Sequence, residues 1–185
     1  MIPLTALCLP IVLSAVIVFI ASSIMHMVLP YHRSDYRPLP DEDKLLGALH
    51  AAGLRRGLYN FPQCTHKDMK SSAVQEKFKQ GPVGFLTIFP SGPPAMPKFL
   101  GMWFAYCLLI SLFVAYLTRL TAVPGSPYMF VFRVACTAAF LAYGAGNLSN
   151  GIWKGQPWSM VIKEAFDGLI YAFLTAGTFG WLWPL

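Results

Sequence analysis

Residues 4–29 read LTALCLPIVLSAVIVFIASSIMHMVL, and no Lys, Arg, Asp or Glu occurs before Arg33. A helix needs about 20 predominantly apolar residues to cross a bilayer, so residues 1–29 are expected to hold a first transmembrane helix. Pro10 falls inside the run and can bend it. A cleaved signal peptide ending near residues 21–23 is the rival reading. Such peptides start with basic residues, and none precedes this run, so a retained span is preferred. Three further runs follow at residues 99–118, 128–148 and 165–185, the last uncharged after Asp167. The pattern predicts an all-α membrane protein with four transmembrane helices. Residues 30–98 form a long loop, and 99–185 a three-helix region.

Composition agrees. Of 185 residues, 56% are hydrophobic and 12% charged, about half the charge of a soluble domain. Mean hydropathy is +0.53. The net charge of +6 comes mostly from one loop beside the spans, which favours anionic lipid headgroups over nucleic acid as its partner. Cys8, Cys107 and Cys136 lie in apolar runs, and Cys64 stands alone in the loop, which favours a reducing compartment for that loop.

Lys and Arg asymmetry sets orientation. Arg33, Arg37 and Lys98 flank the long loop, and Lys154 and Lys163 lie in the third connection on the same side. Arg119 and Arg133 lie opposite, so both termini are expected outside and the long loop in the cytoplasm. Within the loop, PDEDKLLGALHAAG predicts a short amphipathic helix with Asp41 as N-cap, Leu45, Leu46 and Leu49 as its apolar face, and Gly53 as its stop. GPVGFLTIFPSGPPAMPK is apolar and proline-rich, too short to span, and suited to the headgroup boundary.

PYHRSDYRPLPDED, GPVGFLTIFPSGPPAMPK and FDGLIYAFLTAGTFGWLWP resemble stretches of a family of small bacterial integral membrane proteins with no assigned activity. The similarity covers most of the chain from His26 onward. It implies the bacterial cytoplasmic (inner) membrane and carries over no activity, cofactor or site residue.

Candidate chemistry centres on Asp167, since an intramembrane carboxylate is costly and usually functional. If the last helix begins near Asp167, the acid rests at the water line. If it is continuous from Trp158, Asp167 lies deeper and needs a partner. Tyr171 and Thr178 share its helix face, while Asn147 and His26 lie on its side of the membrane. These five residues form the candidate polar site. Gly168, Ala172, Ala176 and Gly180, each four apart, make a small-residue seam, and Ala138, Ala142 and Gly146 repeat the spacing. Such seams let helices approach closely in lipid.

Arg133 is expected as an interfacial anchor. His26 ends the first span with no second helix offering an opposed ligand, and CTH at Cys64–His66 is too sparse for zinc. No metal or cofactor is therefore expected, and Walker, GxSxG and HExxH motifs are absent. With few polar residues in the spans, the leading expectation is a non-catalytic accessory or assembly subunit of a larger bacterial membrane complex. The alternative is a small homo-oligomeric transporter or ion-coupled carrier using Asp167. A membrane enzyme or pigment protein with His26 as ligand comes third.

Overall fold

The computed structural model describes residues 2–185. The first apolar run forms a 3-10 turn (Leu4–Leu7), helix α1 (Cys8–Ser23) and a π-helical turn (Ile24–Val28). Leu29 then leaves the helix with φ −76° and ψ 137°. The cause is Pro30, whose ring disfavours a helical backbone in the residue before it. Pro30 itself starts a second 3-10 turn, Pro30–Asp35, where its fixed φ fits.

The chain divides into two compact units, one holding the chain up to Tyr36 with Ala95–Leu185, the other Arg37–Pro94. The smaller unit contains α2 (Glu42–Ala51), β1 (Gly57–Phe61), α3 (Ser72–Gln80) and β2 (Gly84–Ile88). Helix α2 is the amphipathic helix expected, and Gly53, at φ +64°, stops it. Asp41 holds the N-cap position, but its backbone is left-handed and its side chain makes no capping bond. The strands pair antiparallel, from Gly57 opposite Ile88 to Phe61 opposite Gly84. GFLTI is thus one strand of a sheet, which an all-helical reading does not contain. No residue of this unit is fully buried.

The larger unit is a helical bundle of α1, α4 (Met96–Thr121), α5 (Tyr128–Tyr143), α6 (Leu148–Lys154) and α7 (Trp158–Trp181). Among the described residues, three segments are long and apolar enough to cross a membrane: Leu4–Val28, Met96–Thr121 and Tyr128–Lys154. Helix α7 is continuous over 24 residues but carries Lys163, Glu164 and Asp167 in its first half. Helices α5 and α7 pack most extensively. They run antiparallel: a Cβ on Gly180 would lie 2.6 Å from the Tyr128 ring, and one on Gly168 would lie 2.4 Å from Gly144 Cα. The expected third span breaks at Gly144 into a 3-10 turn (Ala145–Asn147) and α6.

The face of α5 that is buried carries Val131, Ala135, Ala139 and Tyr143. Ala138 and Ala142 are only partly buried, and a Cβ on Gly146 would meet nothing within 4 Å. The α5 half of the expected seam is therefore one position out of register, and on α7 Gly168, Ala172 and Ala176 are buried. Elsewhere α1 and α4 are joined by a buried bond from Ser14 Oγ to Ser111 Oγ (3.0 Å) and by Trp103 Nε1 donating to Ser22 Oγ (2.7 Å). Beyond α7, Trp183 Nε1 donates to the Val123 carbonyl at 3.0 Å.

Candidate functional site

The two non-α turns that follow α1 build one side of the site. In a 3-10 helix, side chains three apart eclipse one another. His32 and Asp35 of the Pro30–Asp35 turn do so, with His32 Nδ1 at 2.6 Å from Asp35 Oδ2. Helix α7 builds the other side. Lys163 and Asp167 are four apart and share a helix face. Lys163 uses all three ammonium protons on the turn, donating to Tyr31 O (2.7 Å), Ser34 Oγ (2.8 Å) and Asp35 Oδ1 (2.6 Å). His32 Nε2 lies 2.7 Å from Asp167 Oδ2.

The result is an alternating row: Asp167, His32, Asp35, Lys163. A neutral imidazole has one N–H, so two carboxylates on its two nitrogens require either an imidazolium or one protonated carboxyl. Burial alone would raise the Asp35 carboxyl, but Lys163 and His32 bonded to it hold it below the usual range. Tyr31 packs on the His32 ring at 4.1 Å between centroids, and Lys163 Nζ sits 5.8 Å from the centre of the Tyr31 ring.

His26 enters from the π-helical turn, a local form that recurs at functional sites. Its Nδ1 lies 3.1 Å from the Ser22 carbonyl, which can only accept, so Nδ1 carries a proton. Nε2 points at Asp167 Oδ2 from 3.8 Å, and the ring stacks on His32 with centroids 4.4 Å apart. One donor atom each from His26, His32 and Asp167 fall within 4.8 Å of one another, a spacing that could hold a metal among the described residues.

Asp167 is 2% exposed, and its Oδ1 has no hydrogen-bond partner among the described residues. The same holds for the Tyr171 hydroxyl, one helical turn further on. Both residues line an open cleft of about 550 Å³, walled by Trp103, Tyr106 and Tyr143, with His26, Asn147 and Glu164 at its polar side. A larger aromatic wall with a few convergent polar groups is the usual make-up of a small-ligand site. An apolar cleft of about 470 Å³, between Ile24, Met25 and Phe166, carries no such groups.

Of the five residues expected in the polar site, Asp167, Tyr171 and His26 are brought together. Asn147 lines the cleft but donates to the Tyr143 carbonyl at 3.2 Å rather than to Asp167. Thr178 lies about 16 Å further along α7 and donates to its own helix at Leu174 O, outside the site. Arg133 is exposed, as an anchor would be. Neither Asp35 nor the pairing of His32 with Asp167 is expected from the sequence. PYHRSD lies beyond a proline, where helical periodicity no longer reports what faces what. Polar groups are also less scarce than the runs suggest, since Ser14, Ser22, Ser111, Thr118, Thr175 and Thr178 are buried with Asp167.

No family model matches the chain, and neither a curated protein nor a solved structure is significantly similar to it.

Proposed function

We propose that this is a four-span protein of the bacterial cytoplasmic membrane that takes up a small cation at Asp167 and carries it across the bilayer as a homo-oligomer. One observation carries the reading. A buried carboxylate oxygen at the floor of an open cleft has no donor among the described residues. Such an oxygen in a low-dielectric site costs several kcal/mol unless something positive meets it, on the order of what a bound cation returns.

Helix α7 serves as the fourth span. Its 24 residues reach about 36 Å, enough for the roughly 30 Å hydrocarbon core, and its charged groups turn toward the bundle rather than the lipid. Asp167 lies about 14 Å along it from Trp158, deep enough to need the partner that His32 supplies. Both termini lie outside, and the basic loop meets anionic headgroups on the cytoplasmic side. The accessory-subunit reading draws on the small-residue seam of α7. Gly168 and Gly180 lie against α5 of the same chain, which leaves little of that seam for another subunit.

The test is reconstitution of the full chain into liposomes loaded with indicators for Na⁺, H⁺, Mn²⁺ and Zn²⁺. Asp167-dependent flux of one of these is expected, and Asp167→Asn should reduce it to the empty-liposome rate. Absence of flux for all four, with a stoichiometric partner recovered by crosslinking in native membranes, would establish the accessory subunit instead.

A further inference from the structure

We propose that His26, His32 and Asp167 form a mononuclear site for a borderline divalent transition metal of the Zn²⁺ or Fe²⁺ class. The assignment rests on the reading of Asp167 as a cation ligand and names the cation. Two imidazoles and one carboxylate suit these ions, whereas Na⁺, Mg²⁺ and Ca²⁺ prefer all-oxygen surroundings.

The outer shell is already in place. A metal-bound histidine normally gives its remote N–H to a carboxylate or a backbone carbonyl, which fixes the tautomer and turns the other nitrogen toward the metal. Both arrangements occur here. Asp35 Oδ2 holds His32 Nδ1 at 2.6 Å, and Ser22 O holds His26 Nδ1 at 3.1 Å. Each ring therefore directs Nε2 at Asp167 Oδ2, from 2.7 and 3.8 Å. Zinc–ligand distances of 2.0–2.2 Å at tetrahedral angles put donor atoms about 3.3 Å apart. The two observed separations bracket that value, each within about half an ångström, and the two imidazole donors lie within 4.8 Å of each other. His26 can close its share of the difference, because its side chain is 51% exposed at the end of α1.

A purely structural ion pair would need His32 alone. It would explain neither the fixed tautomer of His26, aimed at the same oxygen, nor the unpartnered Asp167 Oδ1. A metal on Oδ2 explains the first, and a carboxylate that binds it through both oxygens would meet Oδ1 as well. Three protein ligands leave a fourth position, the pattern of reactive and exchangeable sites rather than closed structural ones. Two of the three ligands, His26 and Asp167, line the cleft, which gives the trio a route to solvent.

The full chain in mild detergent, stripped with a chelator and dialysed, is titrated with Zn²⁺ and, separately, with Co²⁺. One Zn²⁺ per chain, a raised melting temperature and a cobalt absorption band of a four- or five-coordinate site are expected. His26→Ala should remove all three while leaving the metal-free melting temperature nearly unchanged, since the side chain is half-exposed. Asp35→Asn should weaken binding about 10–100-fold, as loss of an outer-shell partner does elsewhere. Zinc bound at well below one per chain, or bound equally by His26→Ala and Asp167→Asn, overturns the site. Asp167-dependent flux of Na⁺ or H⁺ without stoichiometric Zn²⁺ would likewise remove the metal and keep the carrier. One Zn²⁺ per chain with no flux would keep the site and remove the carrier.

Discussion

The α5–α7 pair is closed differently at its two ends. Where α7 finishes, Gly180 faces the ring of Tyr128, a side chain that can turn aside. Where α5 finishes, Gly168 lies on the backbone of Gly144, and backbone cannot turn aside. The second end is also where Asp167, His32, Asp35 and Lys163 meet. Gly168 is the residue next to Asp167, so the closest glycine approach among the described residues fixes the position of the carboxylate. Rigid support of this kind is what a binding group needs if its geometry is to be held within a fraction of an ångström. One end is packed for stability, and the other is packed to hold a charge in place.

That contrast can be broken most severely through its charges. In His32→Ala, Asp167 and Asp35, whose side chains are at least 96% buried in the parent, lose the group between them, and a loss of about 3–5 kcal/mol is expected. Unfolding in mixed detergent micelles measures it, and a loss under 1 kcal/mol would mean the row is not a coupled unit. Gly168→Ala comes next. Its Cβ would meet Gly144 Cα at 2.4 Å, so the helices must separate, at about 1–3 kcal/mol. The same substitution should also weaken cation binding, because it displaces Asp167.

Gly180→Ala sharpens the comparison at the opposite end. There the obstacle is the Tyr128 ring at 2.6 Å, and a small rotation relieves it at about 1 kcal/mol or less with no change in binding. Equal losses for Gly168→Ala and Gly180→Ala would erase the proposed difference between the ends. Gly146→Ala is the smallest change. Its Cβ meets nothing within 4 Å, and melting should stay within about 0.5 kcal/mol of the parent.

Much of this was legible in the sequence, and the exceptions have particular causes. The apolar runs announce their helices because length and composition alone decide whether a helix can cross lipid. Asp167 stands out because it is the last charge before a long apolar run, where it either rests at the water line or needs a partner, and Tyr171 follows from its spacing. Spacing by four finds the seam on α7 but cannot choose a face on α5, where Ala135 and Ala139 repeat as regularly as Ala138 and Ala142. The partner of Asp167 was hidden for another reason. His32 is 135 residues away, past a π-helical turn and a proline, and neither obeys the 3.6-residue period on which face assignments rest. GFLTI alternates as a strand should, but its partner GLYNF lies beyond α3, and a five-residue run among prolines gives no sign of pairing.

The span of chain between Lys163 and Asp35 sets a schedule for the newborn protein. These residues are 128 positions apart, so a ribosome adding about 5–20 residues per second leaves the first helix and its turn waiting for roughly 6–25 seconds. Through that interval Asp35 and His32 have no counter-charges from the last helix, and α1 can be threaded into the bilayer but not anchored. The row of Asp167, His32, Asp35 and Lys163 comes into being only when the last helix is inserted, so a chain that stalls before it would hold three apolar helices without that row.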